Sequence, residues 1–347
     1  MPNPVLTEAI DAVASGRDLA SDEAAAVLAE IMRGDASEVE IAGFLIGLRA
    51  KGETVEELAG LARTMRAFAA SVDAGVPGLV DTAGTGGGRR TFNVSTTAAL
   101  IAAGAGCPVA KHGNRSATGL SGSADVLEAL GIRIDLGPDA VAACLRDTNF
   151  GFMFAPAHHQ ATRFVVPVRK ELAVRTIFNV LGPLTNPAGA RRQVIGVADP
   201  AILGTMAGAL AQLGVDRALV VSSEDGLDEL STAAPTHVVE VSGAAIQRWT
   251  VAPEDVGLAR AAPEALAGGT PEQNAAIARR IFAGEPGAPR DLAVLNAGAA
   301  IYAAGRAGTL AEGVRAAEGA IDSGAAAGRL EAVAARTQAL AAAGAAA

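Results

Sequence analysis

The sequence predicts an α/β protein in which a small all-helical domain precedes a larger domain with a mostly parallel central sheet. Residues 1–72 carry apolar side chains at helical spacing and contain no strand-like run. From residue 79 onward, short β-branched runs alternate with helical runs, a pattern typical of parallel α/β sheets. Half of the 347 residues are hydrophobic, which suffices for one large core or two smaller ones.

The helices within residues 1–72 are marked by their N-terminal capping residues. Ser37 is followed three residues later by Glu40, and Thr54 by Glu57, so each pair predicts a capping box at a helix start. The run "SDEAAAVLAEIM" before them also opens with a serine and two acidic residues. Short glycine-containing links join these runs, so we expect a small helical bundle.

Five short runs predict the strands of the larger domain: "LVDTAG", "PVAKHG", "RQVIGV", "RALVVSS" and "THVVEV". Helical runs lie among them, namely "STTAALIAAGAG", "SADVLEALGI" and "PAILGTMAGALAQLG", and "LEAVAARTQALAAAGAAA" predicts a C-terminal helix. Because parallel strands need long crossover connections, usually helices, this alternation predicts a largely parallel sheet.

We expect the helical domain at residues 1–72 and the α/β domain at residues 73–162 and 188–347. A segment at roughly residues 163–187 joins the helical domain at residues 1–72. Its surroundings, "ATRFVVPVRKELAVRTIFNVLGPLTNPAGA", are first basic, then apolar, then rich in Gly, Pro and Asn. This order predicts one or two helices followed by a long ordered loop, and such segments often cross between domains or line a cleft.

The composition argues against several classes of protein. A net charge of -9 argues against a bulk electrostatic grip on nucleic acid, although it does not exclude a local basic pocket. Cys107 and Cys144 fit no zinc or disulfide pattern, and we expect small buried residues in a reducing compartment. Gly and charged residues interrupt each apolar stretch, and the N-terminus lacks the basic start of a signal peptide. We therefore expect a cytoplasmic protein that binds neither nucleic acid nor a membrane.

The stretch "DTAGTGGGRRTFNVSTTAALIAAGAG" places four glycines and then polar side chains at a helix N-terminus. Glycine lets backbone amides approach an oxyanion, and the helix N-terminus adds partial positive charge. Thr91, Asn93, Ser95 and Thr96 add neutral donors, and Ser95 or Thr96 could also touch a metal. The stretch therefore predicts a phosphate site, while a tight turn before an ordinary capped helix is the alternative that spacing alone does not exclude.

A second loop of this kind follows one strand later, in "AKHGNRSATGLSGSADVLEALG". Lys111 and Arg115 supply positive charge, and several hydroxyl side chains precede the next helix, as in an oxyanion site. The alternative is a solvated basic loop. Two such loops at successive strand ends favour a ligand site, because ligands of parallel sheets gather at the carboxyl ends of strands.

A third loop, in "SSEDGLDELSTAAPTH", carries Asp225, Asp228 and Glu229 directly after a strand. Adjacent carboxylates near phosphates are typical Mg²⁺ ligands. Taken alone, this loop would first be interpreted as a solvated acidic loop, and its position beside the two phosphate-like loops is what favours a metal site.

Together these motifs resemble those of the anthranilate phosphoribosyltransferases. The resemblance rests on "GTGG…TFNVST", "KHGNRS…SGSADVLEALG", "FAPAHH…VRKELAVRTIFNVLGPLTNP" and "DGLDE", in the family's order, and covers roughly residues 5–335. It implies a nucleoside phosphorylase/phosphoribosyltransferase-like fold, a homodimer and an active site between the domains. It also implies the reaction, in tryptophan biosynthesis, of anthranilate with phosphoribosyl pyrophosphate (PRPP) and Mg²⁺, which gives N-(phosphoribosyl)anthranilate and pyrophosphate.

The resemblance further implies a role for each matching residue. Those that would bind PRPP are Gly84, Gly87, Gly88, Thr91, Asn93, Val94, Ser95, Thr96, Lys111, His112, Gly113, Asn114, Arg115, Ser116, Ala117, Thr118, Gly119 and Ser123. Those that would contact anthranilate are Gly84, His112, Asn114, Arg169 and Pro183. Those that would carry Mg²⁺ are Ser95, Asp228 and Glu229. Arg169 suits its role because a guanidinium pairs well with a carboxylate.

One position departs from the family. The family has an aspartate directly after GTGG, whereas this chain has Gly88, and its loop to Thr91 is one residue shorter. We expect this change to affect metal geometry and substrate affinity more than the type of reaction. Asp81 lies too far back in the strand to replace the missing carboxylate with confidence.

The implied chemistry needs a stabilised leaving group more than a base. Breaking the bond at the anomeric carbon builds oxocarbenium-like charge, and Mg²⁺, Lys111, Arg115 and loop amides suit the departing pyrophosphate. No strong general base stands out, although His112 is a candidate. We expect His158 and His159 to line the cleft or pack beneath it rather than to share a metal ion.

Two other functions stay open at this point. A pyrimidine nucleoside phosphorylase shares the fold by resemblance, but it would not be expected to carry "KHGNR" together with "GPLTNP". A paralogue that has lost catalysis and binds nucleic acid should be basic along one face, whereas this chain is acidic.

Overall fold

The computed structural model describes residues 1–116 and 119–345. Its N-terminal part is a bundle of four helices: α1 (Pro4–Ala14), α2 (Ser21–Arg33), α3 (Glu38–Lys51) and α4 (Val55–Ala67). Both predicted capping boxes are present. Ser37 Oγ accepts from the amide of Glu40 at 3.3 Å, and Thr54 Oγ1 accepts from the amide of Glu57 at 3.2 Å.

A seven-stranded sheet of order β3-β2-β1-β4-β5-β6-β7 forms the centre of the remaining chain. Its strands are β1 (Val80–Gly84), β2 (Val109–Gly113), β3 (Phe150–Phe154), β4 (Arg192–Gly196), β5 (Arg217–Ser223), β6 (Thr236–Ser242) and β7 (Ala245–Val251). The strands β3, β2, β1, β4 and β5 pair in parallel, and β6 and β7 extend the sheet antiparallel. The predicted fold class, an α/β protein with a mostly parallel sheet, is confirmed.

Helices cover the sheet and complete the larger part. They are α5 (Val94–Gly104), α6 (Ser123–Ala129), α7 (Pro138–Thr148), α8 (Ala155–His158), α9 (Val166–Leu172), α10 (Phe178–Leu181), α11 (Leu203–Gln212), α12 (Pro271–Phe282), α13 (Ala288–Ala303), α14 (Leu310–Asp322) and α15 (Ala325–Ala345). Helix α5 is buried along nearly its whole length and packs against α13 and α15. A helix that is apolar on all faces has to be covered in this way, which explains why its sequence shows no polar stripe.

The connecting segment contains α9 and α10, in agreement with the one or two helices that the sequence predicts. Val168, Phe178 and Leu181 of this segment are buried in the core of the helical bundle. The same core continues into one face of the sheet and includes Ile195 and Val220. The packing of this segment in the bundle core supports the division that we propose, in which residues 163–187 belong with the helical domain.

Two strands were missed by the sequence reasoning. Strand β3, "FGFMF", is apolar on both faces and too short to show a period. Strand β7 lies at the open edge of the sheet, and its mostly exposed, mixed sequence resembles a loop. Cys107 and Cys144 are buried free thiols, as expected. No helix in residues 1–116 and 119–345 has the length and apolarity to cross a membrane.

Candidate active site

The carboxyl ends of the parallel strands meet at one edge of the sheet, and three loops leave from there. We call them the glycine loop (residues 84–93), the basic loop (114–122) and the acidic loop (224–231). Gly84 at the end of β1 is paired in register with Gly196 at the end of β4. A Cβ on Gly196 would overlap the backbone carbonyl of Asp228, so the acidic loop packs directly onto this strand end.

The glycine loop and the acidic loop are held together by backbone hydrogen bonds and one ion pair. The amide of Gly86 donates to Asp228 Oδ2 at 3.0 Å, and the amide of Arg89 donates to the carbonyl of Gly226 at 2.8 Å. Arg89 Nη2 also donates to Asp225 Oδ2 at 2.8 Å. Asp225 is thereby occupied by an arginine and by two serine hydroxyls, which gives it a structural role within the acidic loop.

Gly88, where the family has an aspartate, lies against the backbone of the acidic loop. A Cβ at this position would lie 2.6 Å from Asp228 Oδ1 and 2.8 Å from both the amide of Asp228 and the carbonyl of Gly226. Side chains do not tolerate such distances, so this arrangement of the two loops admits only glycine. The glycine at position 88 and the close packing of the acidic loop therefore go together in this chain.

Asp81 does not take the place of that carboxylate. It is fully buried in β1, where it accepts from the amide of His112 at 3.1 Å and from Asn186 Nδ2 at 2.8 Å. Burial raises its pKa to about 6, against the opposing effect of the Lys111 charge. Asp81 thus fixes β2 and the "GPLTNP" loop beneath the site.

The start of α5 presents its hydroxyl groups to the edge of the sheet. Thr96 is buried, and its Oγ1 has no hydrogen-bond partner among the described residues. Asn93 is already engaged, because its side chain bonds Ser121 of the basic loop and Asn274 of α12. The side chain of Val94 is buried in the core. Thr91 Oγ1 donates to the carbonyl of Phe92 at 3.0 Å.

Lys111 brings a buried positive charge into the site. Only 1% of its surface is exposed, and its Nζ lies 3.3 Å from Thr82 Oγ1 and 3.4 Å from Ser95 Oγ. Burial lowers its pKa, while the charges of Asp81 and Glu229 raise it. The structure therefore brings Lys111 and Ser95 close to the acidic loop, which lies more than a hundred residues further along the chain.

The two predicted metal-binding carboxylates line one pocket together with Thr82 and Ser95. Burial raises the pKa of Glu229 well above its usual value, and the neighbouring Asp228 charge raises it further. Burial also raises the pKa of Asp228. Glu229 Oε2 is buried without a hydrogen-bond partner among the described residues. Such an oxygen is costly to bury, so it calls for a cation or a proton.

This donor set fits Mg²⁺. Within residues 1–116 and 119–345, no group of three or more His, Cys, Asp or Glu side chains is arranged to hold a metal ion. Mg²⁺ seldom uses such all-protein cages; it takes one or two carboxylates and completes its shell with water and substrate phosphates. Two carboxylates and one hydroxyl beside a phosphate loop are therefore a suitable partial shell.

The basic loop is held by its own side chains. Ser123 Oγ lies 3.1 Å from both the amide and the carbonyl of Asn114. The amide of Gly119 donates to Ser116 Oγ at 2.7 Å. A Cβ on Gly113 would overlap Ser123 Oγ, so the strand end and α6 are in close contact. Ala117 and Thr118, two of the predicted PRPP-binding residues, lie outside the described residues.

Arg115 of the basic loop has partners that the sequence does not predict. Its Nη1 donates to Asp125 Oδ1 at 2.7 Å and to Glu128 Oε2 at 2.6 Å. The sequence predicts Arg115 as a phosphate-binding cation, and it gives no sign that Asp125 and Glu128 pair with it. Two carboxylates thus already neutralise the charge that the resemblance assigns to PRPP.

Three buried histidines lie beside the basic loop, and His112 is the one predicted to bind both substrates. Its Nδ1 lies 3.2 Å from the carbonyl of Gly182, and its ring centre is 5.0 Å from that of His159. Burial lowers the pKa of His112 to about 3 and that of His159 to about 4, so both rings are neutral at neutral pH. Pro183 is buried and directly follows Gly182, whose carbonyl contacts the His112 ring. The two residues predicted to contact anthranilate, His112 and Pro183, are therefore near each other. His158 is also buried, and its Nδ1 lies 3.0 Å from the carbonyl of Ala70.

The connecting segment contributes two arginines. Arg169 is half-buried on α9, with its guanidinium carbon 5.6 Å from the centre of the Phe178 ring. Its side chain forms no hydrogen bond or ion pair to any described residue of the other predicted sites. Arg175, which the sequence reasoning did not single out, donates from Nη2 to the carbonyl of Thr85 at 3.2 Å and so touches the glycine loop. The sequence offered no signal for this contact beyond the basic character of the segment.

This combination of a helical bundle, a mostly parallel sheet and glycine-rich and basic loops at its carboxyl edge is typical of proteins that bind a phosphorylated ligand. The two matching family models agree: residues 7–69 match the helical bundle domain of a glycosyl transferase family, and residues 76–327 match its a/b domain. The chain is therefore a glycosyltransferase of that family.

Relatives narrow the family further. The chain is 53% identical to an anthranilate phosphoribosyltransferase of Rubrobacter xylanophilus, over 94% of this chain and 96% of that protein. The crystal structure of the Thermus thermophilus anthranilate phosphoribosyltransferase superimposes with a TM-score of 0.91 at 46% identity, covering 95% of this chain and 99% of that one. The yeast enzyme in complex with PRPP and Mg gives a TM-score of 0.87 at 27% identity, covering 96% and 98% of the two chains. This chain belongs to the anthranilate phosphoribosyltransferases, as its motifs predict.

Proposed function

We propose that this chain transfers the phosphoribosyl group of PRPP to the amine of anthranilate and works in the cytoplasm. One observation carries the proposal: the glycine loop, the start of α5 and Lys111 converge at one edge of the sheet, where Lys111 Nζ lies 3.4 Å from Ser95 Oγ. Backbone amides, hydroxyls and a buried cation are the groups that bind phosphate oxygens. The buried free cysteines suit a reducing compartment.

We propose that Asp228 and Glu229 hold Mg²⁺ together with Ser95. Glu229 Oε2 supports this proposal because it is buried and unpartnered among the described residues. When bound, Mg²⁺ supplies charge neutralisation to the pyrophosphate. The gap left by the family's aspartate then has to be filled by water or by substrate oxygens, since Gly88 has no side chain.

We propose that anthranilate lies between the connecting segment and the end of β2. Arg169 would pair with its carboxylate, and His112 and Pro183 would line the ring. Nδ1 of His112 faces a carbonyl and so carries the ring's proton, which leaves Nε2 as an unpartnered acceptor among the described residues. A neutral, buried imidazole of this kind orients an amine better than it removes a proton.

The reaction forms one bond and breaks one. The lone pair of the anthranilate amine forms the N–C bond to the anomeric carbon, the C–O bond to pyrophosphate breaks, and its electron pair leaves with the pyrophosphate. The amine proton is lost to solvent or to the leaving group. The low pKa of His112 supports catalysis by positioning and leaving-group stabilisation rather than by a strong base.

The test mixes the protein with anthranilate, PRPP and Mg²⁺ and follows the loss of anthranilate fluorescence. We expect loss only when all four components are present. No loss over a wide range of substrate and Mg²⁺ concentrations would reject the proposal for this chain. Thymidine phosphorolysis and a salt-dependent nucleic-acid shift would then test the two alternative functions.

Arg169→Gln is expected to raise KM for anthranilate about ten- to a hundred-fold, because one charge-assisted hydrogen-bond partner is lost. KM for PRPP should change little. Steady-state kinetics with each substrate varied in turn makes the distinction. Lys170→Gln removes an exposed charge from the next position of α9 and is the matched control. Equal changes in both variants would contradict the role of Arg169.

We also propose that the protein is a homodimer through its helical domain. Val39 and Ile46 lie seven residues apart on one face of α3 and are 82% and 40% exposed. Val166 of α9, a helix that packs against α3, is 53% exposed. A second copy of the chain would cover these apolar side chains, which water solvates poorly.

Val39→Glu is expected to shift the protein to the monomer, because a charge would be buried at the centre of this face. Light scattering coupled to size-exclusion chromatography measures the mass. Ile246→Glu makes the same change at an exposed position of the edge strand β7 and should leave the mass unchanged. A monomeric wild type, or a Val39→Glu dimer of unchanged stability, would contradict the proposal.

A further inference from the structure

Pyrophosphate carries several negative charges, and most cations around the candidate site are already paired. Arg89 is bonded to Asp225, and Arg115 is bonded to two carboxylates. Lys111 is buried beside Glu229, whose charge acts on it. The charge on the pyrophosphate therefore exceeds what these three side chains can balance without giving up their present partners.

Arg175 differs from these residues in its partners. Among the described residues, no carboxylate oxygen lies within the ion-pair distance of its guanidinium, and its one side-chain hydrogen bond goes to a backbone carbonyl, that of Thr85. A guanidinium has five N–H donors in a planar fork that matches phosphate oxygens. Most donors of Arg175 are thus available at the glycine loop.

The glycine loop is shaped to receive this side chain. A Cβ on Gly87 would overlap Nη1 of Arg175, so only glycine at this position leaves room for the guanidinium. The φ of 91° at Gly87 also lies in the left-handed region that disfavours other residues.

The backbone of Arg175 is fixed from the helical domain. Arg49 Nη1 of α3 donates to the carbonyl of Arg175 at 2.8 Å. The residue is therefore held between the helical bundle and the phosphate loop, while its side chain remains exposed to solvent.

We propose that Arg175 is a substrate-binding residue that contacts the pyrophosphate group of PRPP across the glycine loop. The inference rests on the proposed function, because it assigns the pyrophosphate end of PRPP to the glycine loop. It also assigns the two arginines of the connecting segment to different substrates. Arg169 binds anthranilate, and Arg175, six residues further along, binds PRPP.

The test compares Arg175→Gln and Arg175→Lys with wild type. Arg175→Gln should raise KM for PRPP and the inhibition constant of inorganic pyrophosphate about ten- to a hundred-fold each, because one charged contact is lost. KM for anthranilate and the melting temperature should stay close to wild type. Arg175→Lys should recover part of the affinity, since it restores the charge but not the fork.

Lys170→Gln is the control for removing an exposed charge from the same segment. Unchanged KM and pyrophosphate inhibition in Arg175→Gln would overturn the inference. Equal increases in KM for both substrates would also overturn the inference. A lower melting temperature in both Arg175 variants would do the same, because it would indicate that Arg175 stabilises the fold and does not bind substrate. Calorimetry with Mg²⁺ and pyrophosphate measures binding without turnover, so an inactive wild type would reject the proposed function and still leave Arg175 tested.

Discussion

Asp228→Asn combined with Glu229→Gln is expected to lower kcat/KM by about a hundred- to a thousand-fold, a loss typical of removing a group that stabilises developing charge. Both changes keep the size of the side chains. Asparagine also keeps an oxygen that can accept from the amide of Gly86, so the contact between the glycine and acidic loops remains. What the double variant loses is negative charge beside the pyrophosphate, and with it the affinity for Mg²⁺.

The measurement is the fluorescence assay at increasing Mg²⁺. Because the defect lies in metal affinity, a large excess of Mg²⁺ should restore part of the activity. Glu224→Gln is the matched control: it removes an exposed carboxylate of the same loop that pairs with His237 at 3.2 Å. If the double variant and Glu224→Gln had the same kinetics, Asp228 and Glu229 would not be the metal ligands.

The sequence predicts those features of the site that lie within one loop or at one strand end. Glycines, hydroxyls and a helix start are adjacent along the chain, so the glycine loop could be interpreted as a phosphate site before any packing was known. Carboxyl ends of parallel strands share one edge, so three separate loops could be placed together. The fold class follows from the same alternation of strands and helices.

Features that depend on side chains meeting across the fold were not predictable. The pairing of Arg115 with Asp125 and Glu128 needs the geometry of the basic loop and α6. Asn274 bonds Asn93 across 181 residues from a helix that the sequence reasoning did not identify. Arg175 reaches Thr85 only because the connecting segment is anchored on α3. In each case the local sequence does not specify the hydrogen-bond partner, because that partner lies on another segment that only the fold brings near.

The departure at Gly88 shows how a local difference can be explained by a distant contact. By resemblance alone, the missing aspartate is a lost ligand. In the structure, the same position is where the acidic loop makes its closest approach, and Arg89 of the shortened loop is bonded to Asp225. The absent side chain at Gly88 and the bond from Arg89 therefore both belong to the contact between the glycine loop and the acidic loop.

Gly88→Asp, which restores the family's residue, is accordingly expected to impair the protein rather than improve it. The new Cβ would lie within 2.8 Å of the Asp228 amide and the Gly226 carbonyl, so the acidic loop has to move. Overpacking of this kind costs about 1–3 kcal/mol of the free energy of unfolding. A displacement of about 1 Å at a reacting centre can cost a hundred-fold in rate, so kcat/KM should fall by about that factor.

Gly88→Ala separates the two causes of this effect. Alanine adds the Cβ without the charge, so a steric cause predicts that both variants lose similar stability and activity. An electrostatic cause predicts that only the aspartate variant does. Thermal denaturation and the fluorescence assay measure the two quantities, and Gly328→Ala, at a helical position with open space around it, controls for glycine replacement. If the aspartate variant had wild-type stability and a higher affinity for Mg²⁺, the acidic loop would be able to move aside. The close contact at Gly88 would then be a consequence of the missing side chain, and the contact would not be the reason why glycine is needed there.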